Sequence, residues 1–154
     1  MIAEGAAAPA FQLKTLNGGQ ESLESITARG PALLVFFKIT CPTCQMTFPY
    51  LERLSRNSKL QVFGISQDDE EGTKEFNTAF GVTFPTLLDN RDNGYAASNG
   101  FAISYVPSLF VVEADGIVSA ADEGFTKPLL EELGVRAGVA VFQPTDKVPL
   151  FKPG

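Results

Sequence analysis

Cys41 and Cys44 stand in the run Phe36-Phe37-Lys38-Ile39-Thr40-Cys41-Pro42-Thr43-Cys44, and they are the only cysteines in a chain that has no histidine. A Cys-x-x-Cys directly after an apolar strand and at the mouth of a helix reads as a dithiol/disulfide centre. A structural zinc site is disfavoured, because the chain has no histidine or further cysteine to complete a closed ligand set. An inert stabilising disulfide is disfavoured too: the loop it would close is only Pro42-Thr43, so little chain entropy is at stake. No metal and no separate cofactor is expected; the redox-active group is the Cys41–Cys44 pair itself.

Thiol–disulfide exchange needs an attacking thiolate and a second thiol close enough to resolve the mixed disulfide. Cys41, at the helix N-terminus, is the expected attacker, since free N–H groups and the helix dipole favour negative charge there by about 0.3–2 kcal/mol. The Thr43 hydroxyl, the Cys44 amide and the Lys38 ammonium are candidates for further support of that charge. Cys44, one turn in and on the apolar face with Phe48 and Leu51, is the expected resolver.

These residues need a scaffold. Residues 32–37, Ala-Leu-Leu-Val-Phe-Phe, form a continuous apolar run, the mark of a strand buried on both faces. The following helix should cover 42–56, with Pro42 suited to its first position and Pro49 expected to kink it. Phe11, Leu13 and Leu16 before Asn17-Gly18-Gly19 predict an N-terminal hairpin, and Ser22 can cap a short helix over 23–28. A strand over 60–66, a helix over 68–80 stopped by Gly81, and a brief strand or edge over 86–89 follow. A helical turn is expected within 94–101, then strands 109–113 and 117–121 about the turn Ala114-Asp115-Gly116. Thr126 should cap a closing helix through Leu133. The alternation predicts an α/β sandwich with a mixed sheet: one domain over residues 1–137, then an extended C-terminal tail over 138–154 whose Val148, Leu150 and Phe151 can lie against the body.

Composition agrees with a globular domain: 154 residues, 44 % hydrophobic and 19 % charged. A net charge of −6 argues against nucleic acid or an anionic membrane as partner, and no apolar run is long enough to span a bilayer. Read from Met1, the start has neither a basic nor an apolar signal region, which predicts a cytoplasmic protein; a monomer is expected. A chain whose leader had been removed would look the same and would be periplasmic or exported.

With these residues in view the chain resembles the thioredoxin superfamily, in its TlpA/ResA-like and AhpC/TSA-like redoxin branch. The resemblance covers about residues 4–136. It rests on the apolar strand before Cys-x-x-Cys, Pro49 in the following helix, Gly64-Ile65-Ser66, Val106-Pro107 entering the Asp115-Gly116 hairpin, and an insertion within 60–104. It implies a thioredoxin-like three-layer sandwich and a thiol:disulfide oxidoreductase exchanging with a protein disulfide or dithiol and a thiol electron donor. It also implies a cis bond before Pro107, with Thr40, Pro42, Thr43, Val106 and Pro107 forming the substrate-binding surface. Pro31 and Pro85 are expected to be trans.

Three positions depart from that pattern. Thr40 replaces the usual aromatic before the first cysteine, Val35 stands where many thioredoxins bury an aspartate, and Thr47 where ResA-like proteins carry a glutamate. The alternative is a peroxiredoxin-like thiol peroxidase, but its Pro-x-x-x-Thr-x-x-Cys loop would need proline at Phe37 and threonine at Cys41 to serve Cys44. For Cys41 the corresponding positions are Leu34 and Lys38. Copper delivery of the Sco kind would need a histidine ligand.

Overall fold

In a computed structural model describing residues 1–154, Asn17, Gly18 and Gly19 close the expected hairpin of β1 (Gln12–Thr15) and β2 (Gln20–Ser22). Ser22 then caps α1 (Leu23–Ala28) in a capping box shared with Ser25. The chain continues through β3 (Ala32–Phe37), α2 (Pro42–Ser55), β4 (Gln61–Ser66), α3 (Glu70–Phe80) and β5 (Thr86–Leu88). A 3-10 turn (Arg91–Asn93), α4 (Ala96–Gly100), β6 (Ser108–Val112), β7 (Val118–Glu123), β8 (Phe125–Thr126), α5 (Lys127–Ala137) and β9 (Phe151–Lys152) complete it.

Seven strands form one mixed sheet in the order β2-β1-β5-β4-β3-β6-β7. β3 lies at its centre, parallel to β4 and antiparallel to β6. Every side chain of β3 is buried, and the two-residue period of a strand divides them between two cores. Leu33, Val35 and Phe37 face the core built with α2, α3 and α5; Ala32, Leu34 and Phe36 face the one built with α1 and α4. This is the expected three-layer sandwich, and it fixes the end of β3, hence the cysteine loop, from both sides.

Pro49 lies inside α2, as expected, and the buried stripe of Cys44, Phe48, Leu51 and Leu54 runs past it onto the sheet; other expectations are revised. β5 is no edge, since it is inserted between β1 and β4. α5 continues past Leu133 to Ala137, and the Thr126 side chain makes no capping bond; its hydroxyl is buried without a partner. Residues 138–154 carry β9, which pairs antiparallel with β8, a ladder with no forewarning in the sequence. No helix is long and apolar enough to cross a membrane.

Candidate active site

The chain leaves β3 at Phe37 and turns through residues 38–41 into α2. Asp68, just beyond the end of the neighbouring parallel strand β4, accepts from the Ile39 amide at 2.8 Å. The Gln45 side chain donates to the Ile39 carbonyl at 3.0 Å, so the loop is clamped from the next strand and from the helix it enters. Cys41 is the N-cap of α2, with extended backbone, and its Sγ accepts from the Cys44 amide at 3.1 Å. A helix-terminal N–H thus points at the sulfur, as negative charge on it requires. Pro42 occupies the first turn, where its missing N–H costs no helical bond.

The two sulfurs live in different surroundings. Cys41 is half-buried, at the surface, and its Sγ lies 3.5 Å from the Val106 carbonyl oxygen. Cys44 is fully buried against the core that holds Val35, Phe48 and Leu51. Burial pushes the Cys44 thiol far above its ordinary range. The adjacent Cys41 side chain adds to that rise, while backbone hydrogen bonds at Lys38 and Cys44 act the other way. One sulfur can therefore meet an external reactant while the other holds its proton beneath it.

The remaining candidates divide. Thr40 and Pro42 are exposed on either side of Cys41. Val106-Pro107 is the one cis peptide bond in the chain, and it stands against Cys41; Pro31 and Pro85 are trans, as expected. Lys38 is exposed, and its backbone makes a hydrogen bond that acts on the Cys44 thiol. Thr43 corrects the reading of its hydroxyl: it is buried and donates to the Pro153 carbonyl at 2.7 Å, not to Cys41. The Thr47 hydroxyl turns back onto the Thr43 carbonyl at 2.7 Å. Sequence reasoning missed Asp68 and Gln45. The signal for Asp68 was its place just past a strand that runs parallel to β3, since the ends of adjacent parallel strands lie side by side.

The AhpC/TSA family model matches residues 5–121. The chain is 28 % identical over 139 residues to the thioredoxin-like protein YneN of Bacillus subtilis, covering 85 % of this chain and 78 % of that protein. It is 25 % identical over 121 residues to the thiol-disulfide oxidoreductase ResA of Geobacillus thermodenitrificans, covering 76 % and 67 %. The thioredoxin domain of a thiol-disulfide oxidoreductase from Bacteroides vulgatus superposes with a TM-score of 0.78 at 21 % identity, covering 89 % of this chain and 99 % of that one. The family match takes in β1 to β6, the clamped Cys-x-x-Cys loop and the Val106-Pro107 turn, and on that ground the chain belongs to the AhpC/TSA family, as a thioredoxin-like redoxin.

Proposed function

We propose that this protein is a thiol:disulfide oxidoreductase whose working group is the Cys41-Pro42-Thr43-Cys44 dithiol. One observation carries the reading: a surface sulfur capped by a helix amide, with a buried, protonated thiol one turn behind it. In the reducing direction the Cys41 thiolate attacks one sulfur of a partner disulfide. The Cys41–partner bond forms and the partner's other sulfur leaves as thiolate. Cys44 then gives up its proton, for which that departing thiolate is an available base, and attacks Cys41 Sγ. The Cys41–Cys44 bond forms, the mixed disulfide breaks, and the partner carries away two electrons as a dithiol. A thiol donor reverses the sequence to restore the Cys41–Cys44 dithiol.

Thr40, Pro42, Val106 and Pro107 border Cys41 and are the proposed contact surface for the partner, a protein disulfide or dithiol; Thr43 borders it from within the helix. No cofactor beyond the cysteine pair enters this scheme. The peroxidase alternative has the family match alone in its favour, and the position its loop assigns to proline is Phe37, buried in β3.

The order of attack is tested by trapping. Cys44→Ser should accumulate mixed disulfides through Cys41, whereas Cys41→Ser should accumulate few, read by non-reducing electrophoresis and intact mass. The reverse pattern would overturn the assignment.

A further inference from the structure

We propose that residues 147–154 are a tethered competitor lying in the partner-docking groove beside Cys41, which must lift before a protein partner can reach the sulfur. The proposal rests on the oxidoreductase reading above and adds a built-in restraint on the partner's access.

Val106 presents a free peptide edge beside the reactive sulfur. Its carbonyl oxygen meets Cys41 Sγ, and neither its N–H nor its carbonyl takes part in any backbone–backbone hydrogen bond. Such an edge suits an extended chain laid alongside it. The tail already lies there. A Cβ on Gly154 would overlap the Val106 carbonyl oxygen and stand 3.4 Å from the Pro107 nitrogen. On the other side of Cys41, the Thr43 hydroxyl is taken by the Pro153 carbonyl.

The tail arrives as a strand. Lys152 and Phe151 pair with Phe125 and Thr126, the Lys127 amide donates to the Leu150 carbonyl at 2.9 Å, and the Lys152 carbonyl passes where a side chain on Gly124 would stand. The tail thus adds as a strand to β8 and carries its last residues from there to the Val106 carbonyl, the peptide beside Cys41 along which an extended partner would lie.

Its two ends are held unequally. Val141 is buried, Phe142 packs on Tyr50 with ring centroids 4.8 Å apart, and Asp146 pairs with Arg53 at 2.7 Å. Beyond that anchor Val148 alone packs on the core, Leu150 and Phe151 are 69 % and 55 % exposed, and a ladder this short is marginal by itself. The far end can therefore peel away while the anchor stays. A tethered segment competes at an effective concentration of roughly millimolar, enough to hold off a dilute partner.

The test uses the full chain with Gly154→Val, whose side chain has no room over Val106, and Asp146→Ala, which releases the anchor. Reduction of the Cys41–Cys44 disulfide by a cysteine-containing peptide is timed against reduction by dithiothreitol. If the groove is closed about nine-tenths of the time, each variant raises the peptide-to-dithiothreitol rate ratio about tenfold. An unchanged or lowered ratio in both variants overturns the proposal, as does an equal acceleration with both reductants. Exchange at full rate with an unmoved ratio sinks the tail's role alone; no exchange in wild type or variants sinks the oxidoreductase reading itself.

Discussion

At the residue scale, what matters is that two identical side chains are given opposite environments by one turn of helix. Cys41 gains a helix amide and a surface position; Cys44 gains a dry core. Burial keeps Cys44 protonated in the folded state, whereas the unfolded chain releases that proton above its ordinary value of 9.0. Because the folded form binds the proton more tightly, its contribution to stability is complete below that value and is lost as pH rises past it. In the presence of dithiothreitol, the urea midpoint should therefore fall more steeply between about pH 8 and pH 10 in the wild type than in Cys44→Ala. Parallel falls in the two proteins would show that Cys44 is not held neutral by the fold. The dithiol was legible from the sequence because its spacing and its place after an apolar strand are local. The Thr43 hydroxyl was misread because its acceptor, the Pro153 carbonyl, lies at the far end of the chain.

At the element scale, the sequence marked β3, α2, β4 and the β6–β7 hairpin well, since each carries a strong period or a turn signal. It failed where tertiary contact sets the outcome. The sequence reading ends the last helix at Leu133, yet α5 runs to Ala137 and stops at Gly138 in the left-handed region; the Val139 carbonyl packs where a side chain on Gly134 would stand, and the Val139 amide bonds the Gly134 carbonyl at 2.8 Å. β8 and β9 are two residues each, too short for any periodicity, and only the fold brings them together. The seating of α2 depends on Phe48, whose ring stands 4.3 Å from Phe37, 5.2 Å from Phe76 and 5.8 Å from Phe84 between centroids. Phe48→Ala should cost about 3–5 kcal/mol in urea unfolding, the range for emptying a buried aromatic site. A loss below about 1 kcal/mol would mean the cluster repacks and α2 is held elsewhere.

At the scale of the whole molecule, the protein is a mixed sheet whose central strand delivers a dithiol to the surface, where it meets the Val106-Pro107 turn and the tail. A net charge of −6 favours neutral or basic partners over anionic ones. Family membership alone leaves a peroxidase conceivable, and the site argues otherwise: peroxide consumption with a thioredoxin-type donor should be slow and show no saturation at low peroxide. Turnover at the rates of dedicated peroxidases would refute that. The central claim, a reversible dithiol/disulfide couple formed by Cys41 and Cys44, is tested most directly by intact-mass measurement of the full chain across a glutathione redox series. The account predicts a single two-electron step, with the loss of two hydrogens and a bond mapped to Cys41 and Cys44. Separate oxidation or stable glutathionylation of the two thiols, with no internal disulfide, would contradict it.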